Sequence, residues 1–129
     1  MKLRLVPDAV RLRLRRGDLT ELLATGAVEC SVQVGVLPAA RLSYRLELSD
    51  EIAAGELHPF SGGLCVRIPR PDAMVWSAGD EAGLCYQTPW GVRLLIEKDF
   101  ACLELRPGES NYDTFNRPAA TADVSPAKP

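Results

Sequence analysis

Apolar and polar residues alternate with a period of two through most of this chain, and this alternation constrains the fold more than any other feature. Successive side chains of a strand point to opposite faces, so each alternating run places its apolar residues on one side. In the first long run, Val10, Leu12 and Leu14 fall on one face of the predicted strand, and Arg11, Arg13 and Arg15 fall on the other. The pattern recurs at 28–36, 42–48, 64–68, 84–86 and 92–96. It predicts antiparallel sheet with one buried and one solvated face.

Two short segments break the period and predict helices. The first begins at Asp18, whose carboxylate can accept hydrogen bonds from the free amides of a first turn, and ends at Gly26, a left-handed stop. The second runs from Asp72 to Ala78 and follows Pro71. Both are too short to be stable unless they pack on the sheet. The residues expected to be buried are Leu19, Leu22, Leu23, Ala73, Met74 and Trp76.

The predicted fold class is therefore α+β, with mostly antiparallel β sheet or a partial barrel of seven or eight short strands and two short helices. The segments Arg13–Asp18 and Arg67–Asp72 share their internal spacing, and each precedes a predicted helix, which indicates two β-α-β-β repeats. The alternative is that the two segments are similar without duplication, because any unit of strands and one helix needs turn and cap residues at the same positions. Residues 50–63 form the longest predicted connection.

A chain of 129 residues with 47% apolar and 25% charged residues has the composition of one globular domain. We expect this domain to cover residues 1–117. Alternation stops after Pro107, and residues 118–129 hold too few apolar side chains to offset the entropy of ordering them. The sequence therefore predicts a flexible Pro/Ala-rich tail at 118–129.

The net charge of −2 gives the molecule as a whole no strong attraction to nucleic acid or to anionic membranes. Aromatic residues are 6% of the chain, too few to favour a stacking platform for single-stranded nucleic acid. No apolar run approaches the roughly 20 residues that span a bilayer. The four cysteines have no Cys-x-x-Cys spacing, so free thiols in the cytoplasm are expected and a structural zinc site is not.

The sequence also lacks the spacing of the common phosphate-binding, dinucleotide-binding, hydrolase and zinc-protease motifs. The carboxylates are plentiful but scattered, and the single histidine, His58, is expected in a loop. We therefore assign no catalytic residue, no metal and no cofactor.

Arginines on the solvated strand faces are the most distinctive candidates for a binding site. Basic side chains dominate the segment 1–16, in which Asp8 is the only acidic residue. Planar guanidinium groups on neighbouring strands can converge on a carboxylate or a phosphate. The predicted ligand-binding residues are Arg11, Arg13, Arg15, Arg67 and Arg93. The alternative is an ordinary solvated face on which Glu29, Glu47 and Glu97 pair with arginines across strands.

The C-terminal run Glu97-Lys98-Asp99-Phe100-Ala101-Cys102-Leu103, followed by Asn111, Asp113, Phe115 and Pro118, resembles an uncharacterised family of short bacterial proteins. The opening Met1-Lys-Leu-Arg and the run Val10-Arg-Leu-Arg-Leu are similar to the beginning of that family. Its most specific motif is Lys-Asp-Phe-x-Cys-Leu. The resemblance implies no activity, since none is assigned to that family.

Five residues of this C-terminal region are candidate docking or reactive positions: Lys98, Asp99, Cys102, Asp113 and Phe115. Lys98 can favour the thiolate of Cys102, as a nucleophile would require, but a buried cysteine that acts as a small hydrophobe is the commoner case. Phe115 can insert into an apolar groove while Asp113 fixes its register, or the segment can simply cover one end of the sheet.

Two functional classes follow from these residues. The favoured one is a small, non-enzymatic, intracellular binding or interaction module, whose partner is a protein or a small anion. The alternative is an enzyme or sensor that binds an anionic small molecule through the arginine-rich sheet face.

Overall fold

The computed structural model describes residues 1–101 and 110–116. These residues form eight strands and two helices, in the chain order β1 (Lys2–Val6), β2 (Ala9–Leu14), α1 (Arg16–Thr25), β3 (Ala27–Gln33), β4 (Arg41–Ser49), β5 (Glu56–Phe60), β6 (Gly63–Pro69), α2 (Arg70–Ala78), β7 (Gly83–Gln87) and β8 (Arg93–Lys98).

The strands form two four-stranded sheets with the orders β1-β2-β8-β7 and β3-β4-β6-β5. Each sheet contains two antiparallel hairpins, which meet at a central parallel pair, β2 with β8 and β4 with β6. The α+β prediction is confirmed. Within the described ranges the strands form two open sheets and no barrel closes.

The two halves of the chain exchange hairpins. Each half has the order strand, strand, helix, strand, strand, and each sheet takes one hairpin from either half. The helices begin at Arg16 and Arg70, and this offset equals the offset between Asp18 and Asp72 in the sequence. The unit contains one strand more than the predicted β-α-β-β repeat, and its origin by duplication stays a prediction.

A single hydrophobic cluster joins the inner faces of both sheets to both helices. The alternation places its residues correctly: Leu12 and Leu14 on β2 are 1% and 0% exposed, and Leu94 and Ile96 on β8 are 0% and 1% exposed. In α2, Trp76 is fully buried. The prediction for Met74 is wrong, because this side chain lies on the outer side of α2 and is 54% exposed.

Both helices begin two residues before their predicted first residues. In α1, Asp18 is the third helical residue, and its Oδ2 accepts a hydrogen bond from the backbone N–H of Arg15 at 2.8 Å. In α2, Pro71 lies inside the first turn. Backbone N–H groups of the first turn have no acceptor within the helix, so the missing N–H of the proline costs no hydrogen bond. Asp18 therefore acts from within the helix that it starts, whereas Asp72, the predicted cap of α2, makes no capping hydrogen bond and accepts instead from the Tyr86 hydroxyl at 2.6 Å.

Strand β5 lies inside the predicted connection 50–63. Its Pro59 hides the strand signal in the sequence, and the fold tolerates the proline because β5 is at the edge of its sheet. His58 therefore lies on a strand, not in a loop, with Nε2 at 2.7 Å from Glu56 Oε1. At the other edge, β3 ends at Gln33, so the run predicted to reach residue 36 ends in a connection.

Candidate functional site

The outer surface of the sheet β1-β2-β8-β7 carries a concentration of positive charge, which we call the basic face. Alternation puts the charged residues of β1, β2 and β8 on the side opposite the core, and the register places them next to one another. The basic face consists of Lys2, Arg4, Arg11, Arg13, Arg15 and Arg93.

Strand pairing sets like charges directly against each other on this face. Lys2 lies opposite Arg13 and Arg4 lies opposite Arg11 in the antiparallel β1–β2 ladder. Like charges at directly opposed positions destabilise a ladder, so these two pairs weaken the hairpin that carries them. The β1–β2 ladder therefore gives these four cations no favourable partner. Among the described residues, the predicted pairing of arginines with glutamates across strands occurs on this face only at Glu97 of β8, which lies opposite Arg13.

Only two carboxylates of the described residues lie within 4 Å of these cations. Glu97 Oε1 accepts a hydrogen bond from Arg11 Nε at 2.6 Å and lies 3.9 Å from Arg13 Nε. Asp99 Oδ2 lies 3.0 Å from Lys2 Nζ and 3.8 Å from Arg15 Nε, although neither donor is aligned for a hydrogen bond. Within the described ranges Arg4 and Arg93 form no ion pair.

The outer surface of the other sheet is balanced by comparison. Glu47 accepts from Arg45 Nε at 2.8 Å and from Arg67 Nε at 3.1 Å, and Arg45 also donates to Glu29 at 3.3 Å. The hydrogen bond from Arg45 is the main cause that holds the pKa of the Glu47 carboxyl below its usual range. On this sheet the predicted cross-strand pairing of glutamates with arginines is what the structure shows.

The five arginines predicted to bind a ligand are thus divided between two surfaces. Arg11, Arg13 and Arg15 follow one another along the basic face, and Arg93 lies at its other end, opposite Ala9. Arg67 is on the other sheet, paired with Glu47. Lys2 and Arg4 complete the basic face, and the predicted site omits them. Their signal in the sequence is the alternation at positions 1–6.

The C-terminal segment 110–116 lies against the start of α1. Asp113 has a positive φ of 57°, and its Oδ2 accepts from the backbone N–H of Gly17 at 2.8 Å while its carbonyl accepts from that of Arg16 at 2.9 Å. An added Cβ at Gly17 would lie 2.9 Å from Asp113 Oδ2, so the Asp113 carboxylate would have to shift if any other residue stood there. Asp113 therefore caps the helix from a distant part of the chain.

Phe115 packs beside Phe100, with the ring centroids 6.3 Å apart in an edge-to-face arrangement. Backbone hydrogen bonds join Phe115 N–H to Asp99 O and Ala101 N–H to Phe115 O. The segment covers one end of the molecule, as the second interpretation of Phe115 expected. Docking of Phe115 on another protein stays a prediction.

Lys98 is the last residue of β8 and Asp99 follows it; both are buried, at 8% and 3% exposure. They belong to opposite sides of the strand. Asp99 faces the basic cations Lys2 and Arg15. Lys98 continues the inner row of Leu94 and Ile96, and its Nζ donates to the carbonyl of Gly79 at 2.8 Å. Four of the five predicted docking or reactive residues are therefore neighbours in the fold, and the fifth, Cys102, lies outside the described residues.

The described cysteines are free, and they differ in burial. Cys65 is buried, and desolvation, followed by the charge of Glu47, raises the pKa of its thiol to about 11. Cys85 is exposed on β7. We expect iodoacetamide at pH 8 to modify Cys85 first and Cys65 at least about 100-fold more slowly, since raising the pKa of the Cys65 thiol from 9.0 to about 11 lowers its thiolate fraction at that pH by about this factor.

Peptide mapping by mass spectrometry measures both rates, with the urea-unfolded protein as the reference in which all thiols react alike. Equal rates for Cys65 and Cys85 in the folded protein would contradict the burial of Cys65. The same map tests the prediction that Cys102 reacts slowly in the folded protein.

Neither helix of the described chain is long and apolar enough to cross a membrane. Residues 1–101 and 110–116 contain no group of three or more His, Cys, Asp or Glu side chains placed to hold a metal ion.

A family model described as "Family of unknown function (DUF7009)" matches residues 1–119. This range includes both segments on which the resemblance to an uncharacterised family depends. The bacterial origin and the family motif stay predictions. No curated protein and no solved structure matches the chain.

Proposed function

The chain belongs to DUF7009, a family of unknown function, and we propose that it is a non-enzymatic binding module whose basic face docks an acidic segment of another protein. The observation that carries this proposal is the charge of the basic face. Its six cations and the two carboxylates beside them sum to +4, whereas the whole chain has a net charge of −2 and the remaining residues therefore sum to −6.

The distribution of the cations favours an extended ligand. β1, β2 and β8 are adjacent, and the charges extend from Arg93, opposite Ala9, to Arg15, just after β2, so they cover roughly 10 Å by 20 Å. The side chains of Lys2 and Arg13 are 49% and 40% exposed. Such a surface suits several carboxylates spaced along a peptide, each taken by a guanidinium fork. The small-anion enzyme or sensor, the alternative, requires arginines that converge.

Nucleic acid and anionic membranes are the less favoured partners. Both are extended polyanions that would reach past the edges of the basic face, and there the −6 charge of the remaining residues would repel them. An acidic protein segment needs to match only the basic face. The proposal includes a cytoplasmic location, where the thiols of Cys30, Cys65 and Cys85 stay free.

The test is fluorescence anisotropy with a labelled oligoglutamate peptide at a moderate salt concentration of about 0.1 M, where the screening length is about 10 Å. The variant Arg4→Ala/Arg13→Ala/Arg93→Ala removes three of the four face arginines that have no ion pair with a described residue or only a distant one, so its fold should be little affected. We expect its affinity to fall at least about tenfold, as three exposed charge contacts of about 0.5 kcal/mol each would give. Added salt should weaken the wild-type complex.

The matched control is Arg41→Ala/Arg45→Ala/Arg67→Ala, which removes the same charge from the outer surface of the other sheet. Its affinity should stay within about twofold of wild type, since the distance between the surfaces exceeds the screening length at moderate salt. Equal losses in both triple variants would show a net-charge effect only and would overturn the proposal. Tighter binding of a labelled oligothymidylate than of oligoglutamate would show that the partner is nucleic acid and not an acidic protein segment.

A further inference from the structure

We propose a second binding site, independent of the basic face: a groove at the end of α2 where Lys98 and Arg16 bind the carboxylate of a small organic acid and Phe100 and Phe115 pack against its apolar part. The groove has a volume of about 340 Å³. That is the size of the smaller ligand pockets of proteins. The rest of its lining comes from the end of α2 and from Asp80 and Asn116.

Lys98 is a buried cation that has no counterion among residues 1–101 and 110–116. It is 8% exposed, and among the described residues no carboxylate lies within 4 Å of its Nζ. Its contacts are the Gly79 carbonyl at 2.8 Å and the rings of Trp76 and Phe115, whose centroids lie 6.0 and 5.6 Å away. A buried charge is costly unless it is paired, and an ammonium group has three donors. A ligand carboxylate would supply the missing charge and a further acceptor.

The other half of the molecule shows that the fold does not need a lysine at this position. Lys98 on β8 pairs with Leu14 on β2, and Leu48 on β4 holds the corresponding place beside Ile68 on β6. Leu48 is as buried as Lys98, at 8% exposure. A leucine thus fills the equivalent position in the other sheet, so the charge of Lys98 serves something besides packing.

Arg16 gives the groove a second cation. It lies in the first turn of α1, and its side chain forms no ion pair with any described residue, while its backbone N–H donates to Asp113 O at 2.9 Å. The one carboxylate in the lining, Asp80, is more than 4 Å from both cations. With two cations and one nearby anion, the groove favours a monoanion over a doubly charged phosphate.

The two phenylalanines of the groove determine which apolar group the ligand carries. Phe100 and Phe115 meet edge to face, and both line the groove. Rings in this position can bury a hydrocarbon group while its carboxylate reaches Lys98. The ligand class is therefore a monocarboxylate with an aryl or short alkyl body.

The experiment is calorimetric titration of the full chain with benzoate, using neutral benzamide as the matched ligand. We expect saturable binding of benzoate and at least tenfold weaker binding of benzamide. Lys98→Met keeps the length of the side chain and removes its charge, and it should lower benzoate affinity at least tenfold. Arg16→Ala alters an exposed side chain, so it gives an independent result if Lys98→Met does not fold.

The control is Arg4→Ala/Arg13→Ala/Arg93→Ala, whose benzoate affinity should equal that of the wild type. A loss in this variant would place the anion on the basic face. Absence of saturable benzoate binding, equal binding of benzamide, or unchanged affinity in a folded Lys98→Met or in Arg16→Ala would overturn the inference. None of these outcomes affects the oligoglutamate result, so the two proposals can fail separately.

Discussion

Replacement of Trp76 by alanine is expected to lower the free energy of unfolding by about 3–5 kcal/mol, the usual cost of truncating a large buried aromatic side chain. Trp76 is fully buried in the cluster that joins both sheets to both helices, so the cavity would open at the centre of the molecule. Domains of this size are stable by roughly 5–15 kcal/mol, so the variant should be partly unfolded in mild denaturant. Urea titration followed by far-UV circular dichroism measures the loss.

Trp90 provides the matched control for Trp76. It lies in the β7–β8 turn and is 63% exposed, and Trp90→Ala should change the free energy of unfolding by no more than about 0.5 kcal/mol. Comparable losses in the two variants would contradict the placement of α2 over the core.

Gly63→Ala is expected to destabilise the protein by about 1–3 kcal/mol, the usual cost of overpacking, because the new methyl group has no space. Gly63 begins β6 and pairs with Ser43 on β4. An added Cβ would overlap the Ser43 carbonyl oxygen and lie 2.9 Å from Cζ of Phe60. The phenyl ring can rotate away, but the Ser43 carbonyl cannot move without separating the parallel strands β4 and β6.

Gly79→Ala is the control for Gly63→Ala. Its Cβ would meet only the Val75 carbonyl oxygen, at the ordinary contact distance of 3.4 Å, and Gly79 has a φ of −105°, which any residue can adopt. Its midpoint in a urea titration should match that of the wild type. A Gly63→Ala midpoint equal to that of Gly79→Ala would show that β4 and β6 are farther apart than described.

The sequence predicts which face of a strand is buried but not which strand is its neighbour. Alternation identifies Leu12 and Leu94 as inner residues because the period of two is local. The pairing of β2 with β8 joins the beginning of the chain to the last strand described, and no local pattern encodes it. Arg11 and Arg67 therefore look equivalent in the sequence, and only the exchange of hairpins separates the basic face from the balanced surface.

The contacts of the C-terminal segment cannot be predicted for a related reason. Asp113 and Phe115 are recognisable as candidates from their residue types. Their partners, the amides of Arg16 and Gly17 and the ring of Phe100, come from the two ends of the described chain. The sequence suggests that Lys98 acts on the thiol of its near neighbour Cys102, whereas the structure places the Lys98 ammonium group against the rings of Trp76 and Phe115.

The exchange of hairpins also determines which of the two sheets can be completed first while the chain is still being synthesised on the ribosome. The sheet containing β3 to β6 has all its strands once residue 69 has emerged, whereas β2 must wait for β8, which ends at Lys98. The first hairpin to be synthesised is thus the last to gain its neighbour, and until then the open edge of β2 can pair with other chains. The charges on Arg11 and Arg13 lie along that waiting edge, where mutual repulsion between nascent chains would delay their aggregation.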